Sequence, residues 1–105
     1  MKKDVQRALA ADAAMAAEIN REKASSLGRT GRVIEEAIAA CAALRKKLEP
    51  CPPGPKRREL VKEYAAQRKI VVEQRWNLEV QREAMGLRKH TDLDTFFPIP
   101  PVVRE

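Results

Sequence analysis

The sequence predicts an all-α protein built on one long antiparallel helical hairpin, about 19–49 packed against 56–85. Three observations lead there. The chain is 44% apolar and 34% charged with only 4% aromatic residues, and no sustained polar/β-branched alternation is present, which favours amphipathic helices over sheet. A single break, Glu49-Pro50-Cys51-Pro52-Pro53-Gly54-Pro55, is incompatible with helix because its prolines lack donors and clash with the preceding turn. On each side of that break, apolar residues recur at spacings of three and four. At 105 residues the chain is expected to form one domain, 1–105.

The first element is an Ala-rich helical segment within MKKDVQRALAADAAMAAEINR. Asp4, Arg7, Asp12 and Glu18 interrupt its apolar run, so it reads as a helix of the mature protein in the cytoplasm, not as a secretory leader. No run approaches the roughly 20 apolar residues that a bilayer span needs, and no membrane partner is expected.

Along the rest of the first arm, 4–49, Ile19, Leu27, Ile34, Ile38, Cys41, Leu44 and Leu48 stay on one face through Gly28 and Gly31. Two interior glycines cost about 2 kcal/mol relative to alanine, which favours a break near Leu27 with Thr30 capping a second helix. The phase of the stripe favours one continuous helix. In the continuous reading, antiparallel pairing of positions summing to about 105 sets Cys41 by Tyr64, Ile34 by Val71 and Leu44 by Val61. It also sets Trp76 opposite Gly28 to Gly31, where glycine would make room for the indole.

Beyond the Pro-rich turn, 50–55, positions 56–85 run without Gly or Pro for about 45 Å at 1.5 Å per residue, and Gly86 is placed to cap the end. Leu60, Tyr64, Gln67, Val71, Gln74, Leu78, Gln81 and Met85 form one stripe, a coiled-coil-like seam with glutamine in alternate layers. Polar layers weaken a seam while fixing its register and oligomeric state. The expected helix seam and oligomer interface therefore comprise Gln67, Val71, Gln74, Leu78, Gln81, Met85 and Trp76, with Ile34 and Ile38 from the first arm. Each seam glutamine precedes an arginine, giving Gln67-Arg68, Gln74-Arg75 and Gln81-Arg82 at intervals of seven. Those arginines are expected on solvated flanks or in inter-helix ion pairs, at spacings that let Arg75 and Arg82 pair with Glu79; the alternative is an arginine ladder contacting nucleic acid, whose field the interleaved glutamates weaken.

The ending, HTDLDTFFPIPPVVRE, changes character. Thr91 is positioned to cap a short turn with Asp94 three residues on, and Pro98, Pro100 and Pro101 force an extended tail of polyproline type. Phe96, Phe97, Pro98 and Ile99 are the expected docking residues of this tail. They would pack back across the bundle together with Val102, or present the P-x-x-P spacing of Pro98 and Pro101 to another protein.

No catalytic, cofactor or metal site is expected. The one histidine, His90, could recruit only Ser25 or Ser26, with neither a nucleophile elbow nor an oxyanion loop. C-x-x-C, H-E-x-x-H and E-x-x-H spacings are missing, as are glycine-rich phosphate loops. Cys41 on a helix and Cys51 beyond its end would sit roughly 13 Å apart, too far for a disulfide, so both are expected reduced.

The net charge is +6 and the pI about 9.7, but each half of the chain contributes +3, from ten basic against seven acidic residues through position 50 and eleven against eight after it. The densest cations, Arg45-Lys46-Lys47 and Lys56-Arg57-Arg58, flank the turn, where they could contact an anionic partner. Two helices alone leave much of their stripes exposed, so a homodimeric four-helix bundle is expected, or an N-terminal helix folded back. The functional expectation is a non-catalytic helical protein-interaction or scaffold module whose partner is itself or another protein. The alternative is a basic helical dimer binding DNA or RNA non-specifically through the phosphate backbone.

Overall fold

The computed structural model describes residues 28–105. The Ala-rich segment over 4–18 and the start of the first arm near residue 19 lie outside the described residues. The described residues are mostly helical and include no strand. Helix α1 covers 28–48, α2 is Pro55–Ala84 and α3 is the single turn Leu93–Phe96. Two long helices in contact give an all-α hairpin.

The hairpin forms where the sequence concentrates its breakers. After Leu48 the chain turns through Pro50 to Gly54, whose φ of +149° lies in a region favouring glycine. Pro55 then starts α2 with its ring-fixed φ, where a missing N–H costs nothing. At the other end, Gly86 at φ +88° closes a Schellman motif. Its N–H donates to the Glu83 carbonyl (3.0 Å) and that of Leu87 to the Arg82 carbonyl (2.9 Å). The sequence expectation for both ends is met.

The seam also follows the expected register. Ile34, Ala37, Cys41, Leu44 and Leu48 of α1 are buried against Tyr64, Val71 and Leu78 of α2. Ile34 shares one cluster with Val71, and Cys41 shares the other with Tyr64 and the half-buried Val61. Gly28 and Gly31 lie inside α1, so Thr30 is not a cap; its buried hydroxyl donates to Gln81 Oε1 at 3.4 Å.

The tail supplies the third side of this core. Leu93 is fully buried among Ile34, Ala37, Val71 and Leu78, with Phe97 packed alongside, and Val103 packs on the cluster of Cys41, Leu44, Leu48 and Tyr64. From Gly86 the chain therefore reverses and runs the length of the hairpin back to the turn. Burying a leucine side chain stabilises by about 1.5–3 kcal/mol, so Leu93 matters to the fold as much as a seam residue.

Two expectations are corrected here. The ring beside the glycines belongs to Phe97, whose Cζ lies 3.4 Å from where a Gly31 Cβ would be, while Trp76 is 65% exposed. Trp76 stands two residues from Leu78, or about 200° round the helix at 100° per residue, on the side of α2 away from α1. Thr91 does not cap the short turn either. Asp92 precedes α3 and makes no capping bond, because its carboxylate is engaged elsewhere.

Candidate functional site

Two constructions on α2 are candidates for function, a clamp that holds the tail and an apolar face opposite the seam. The clamp begins with the arginines that follow the seam glutamines. One position further round the helix points a side chain about 100° away from α1, into the groove the tail occupies. Arg82 meets Asp92 as a fork, Nη1 to Oδ1 at 2.9 Å and Nη2 to Oδ2 at 2.6 Å. Arg75, whose side chain is only 10% exposed, reaches Asp94 Oδ1 at 2.8 Å. Arg68 Nε donates to the Pro100 carbonyl (2.8 Å) and the Tyr64 hydroxyl to the Pro101 carbonyl (2.6 Å). At the turn, Arg57 Nε donates to the Glu105 main-chain oxygen (3.0 Å), and its Nη1 to the carbonyls of Leu48 (2.8 Å) and Cys51 (2.9 Å).

The heptad-spaced arginines thus bind the tail rather than Glu79, since a carboxylate or a proline carbonyl held beside a half-buried guanidinium loses less to water than an exposed pair does. An extended proline-rich segment cannot bond its own carbonyls, so side chains must satisfy them. The Arg82 hydrogen bonds hold the Asp92 carboxyl below the usual carboxylate range, and the same bonds raise the Arg82 guanidinium. Burial pushes the Tyr64 phenol up, keeping it protonated as the donor its bond requires. Burial likewise raises the Cys41 thiol, with Arg68 opposing. A buried, protonated thiol is unreactive.

The sequence-derived residues divide between these constructions. Val71, Leu78 and Ile34 are buried in the α1–α2 seam; Gln67, Gln74, Gln81, Met85 and Ile38 are half-buried. Of the tail residues, Phe97 turns inward, whereas Phe96 (70%), Ile99 (43%) and Val102 (65%) remain exposed and Pro98 with them. Among the tip cations, Arg45, Lys46, Lys47, Lys56 and Arg58 are exposed, while Arg57 is taken up by three main-chain oxygens. Lys47 and Lys56 line one shallow groove with Cys51 and Leu60. Cys41 and Cys51 are free thiols.

Sequence reasoning missed the apolar face. Val72, Trp76 and Val80 follow one another at intervals of four on α2 and are 39%, 65% and 45% exposed. Ala65 and Val72 border a cleft whose far wall is Val102 of the tail. The signal was present as a second three-and-four stripe, 65, 69, 72, 76, 80 and 83, displaced about half a turn from the glutamine seam. It was obscured by assigning the single tryptophan to the core.

Among the described residues no three His, Cys, Asp or Glu side chains gather as a metal site, and no helix is long and apolar enough to cross a membrane. No curated protein and no solved structure matches the chain. Residues 3–104 match the model of a family of unknown function (DUF6665), and the chain belongs to that family.

Proposed function

We propose that the protein is a non-catalytic helical interaction module, acting in the cytoplasm as a homodimeric four-helix assembly with the outer face of α2 as its contact surface. The observation behind this reading is the row Val72, Trp76 and Val80, exposed on a helix whose opposite face is already filled by α1 and whose flank is covered by the tail. Single exposed apolar residues are ordinary, but a contiguous row centred on tryptophan has the composition of a binding hot spot. Because the tail closes the seam, self-association is not needed to complete the core and is left to this face. The two free thiols fit a reducing compartment.

A second reading rests on the exposed tip cations Arg45, Lys46, Lys47, Lys56 and Arg58, which could contact a nucleic-acid backbone. Solution mass by light scattering, at low and high salt with and without a mixed-sequence DNA duplex, separates the two. The interaction module gives a dimer whose mass does not change when the duplex is added, at either salt concentration. A salt-sensitive increase in mass with the duplex would replace it with the nucleic-acid reading, and Lys46 and Lys47 would be the first residues to reverse.

A further inference from the structure

From the same surface we infer that the second copy packs antiparallel, α2 against α2, on a two-fold axis passing beside Trp76. The inference rests on the interaction reading above and adds its partner geometry. Around Trp76 the outer face is a palindrome. Val72 and Val80 lie four residues to either side, and Lys69 and Glu83 lie seven residues to either side. At about 100° per residue all four fall within about 40° of the tryptophan direction, while Glu73 and Glu79 fall near 60° on opposite rims.

Charge then decides orientation. In an antiparallel pair each Lys69 meets Glu83 of the second copy at both ends of the contact, and each Val72 meets Val80. In a parallel pair Lys69 would face Lys69 and Glu83 would face Glu83, which like-charge repulsion disfavours. Lys69 and Glu83 are open to this exchange, their side chains being 75% and 59% exposed. Lys69 would turn from the exposed Glu73 at 3.7 Å, and Glu83 from His90 at 3.2 Å, whose own ring is only 15% exposed. The seam with α1 lies about 180° from Trp76, so the four helices line up as a layer, α1–α2–α2–α1, rather than sharing one central core. The exposed Val102 flanks the same face across its cleft with Val72.

The test uses full-length chains in a Cys51→Ser background, with Val72→Cys in one preparation and Val80→Cys in another, mixed and oxidised. The expected product is the mixed Val72→Cys/Val80→Cys disulfide, with each preparation alone cross-linking at least about tenfold less, because only the mixed pair comes within bridging distance. Lys69→Glu and Glu83→Lys should each weaken dimerisation at least about tenfold, and the double exchange should restore it. Preferential cross-linking of Val72→Cys with itself would overturn the antiparallel arrangement while leaving a dimer on this face. A dimer that cross-links in neither combination and ignores both charge reversals would place self-association elsewhere. A chain that stays monomeric throughout would overturn the two-copy geometry, and the outer face would then have to bind a different protein for the interaction reading to survive.

Discussion

The inner and outer faces of α2 carry apolar residues at the same three-and-four spacing, but they meet different surroundings. Tyr64, Val71 and Leu78 are buried on the inner face, whereas Val72, Trp76 and Val80 on the outer face remain in water. Alternate positions of the inner stripe are glutamines, and each is followed by an arginine that reaches sideways to the tail. The outer stripe has no such neighbours. The difference shows that heptad periodicity locates a surface able to pack, while the residues beside the stripe decide whether the chain itself fills it.

The strongest way to break this contrast is to empty a position that the tail fills. Leu93→Ala should cost about 2–5 kcal/mol in urea denaturation, as a fully buried leucine does, while Phe96→Ala, three residues on but exposed, should stay within about 0.5 kcal/mol. Equal effects would mean that the tail does not hold its inward and outward residues apart. Next in size, Arg75→Ala should destabilise by about 1–3 kcal/mol, since it leaves tail carboxylate and seam edge without the guanidinium that joins them.

Acid should loosen the clamp at its Asp92 end. The Asp92 carboxyl titrates below its ordinary 3.8 in the folded chain. Its contribution is therefore complete above that value and is lost as pH falls through the lower folded value. Protection of amides around α3 against hydrogen exchange, relative to their intrinsic rates, should fall below about pH 4 in the wild type, and Asp92→Asn should remove that part of the pH dependence. The smallest effect on folding belongs to the outer face. Trp76→Ser should leave helicity and monomer stability within about 0.5 kcal/mol, yet abolish the proposed dimerisation, with light scattering as the readout.

Much of the hairpin was legible in the sequence for local reasons. Prolines can end a helix only in certain ways, Gly86 suits a left-handed C-terminal position, and Ile34, Cys41, Tyr64 and Val71 repeat at the helical period. The tail was not legible in the same way. Extended chain has no period, and whether Arg75 pairs with Glu79 four residues away or with Asp94 across the fold depends on where the returning tail sets its carboxylate against the buried guanidinium, a tertiary property. A better hint was the spacing itself: arginines at 68, 75 and 82 repeat on one edge, and the acidic residues Asp92 and Asp94 open the segment that returns past them. Trp76 was misplaced because large aromatic residues are usually assigned to the core, although its nearest apolar neighbours at four residues, Val72 and Val80, share its outward direction.

Trp76 is the only tryptophan in the chain, so its fluorescence reports the outer face without any label. Recording its emission maximum across a dilution series tests most directly whether that face is the contact between copies. The account predicts a shift to longer wavelength on dilution, as the indole passes from a covered interface to water. An emission maximum that does not move with protein concentration would contradict it.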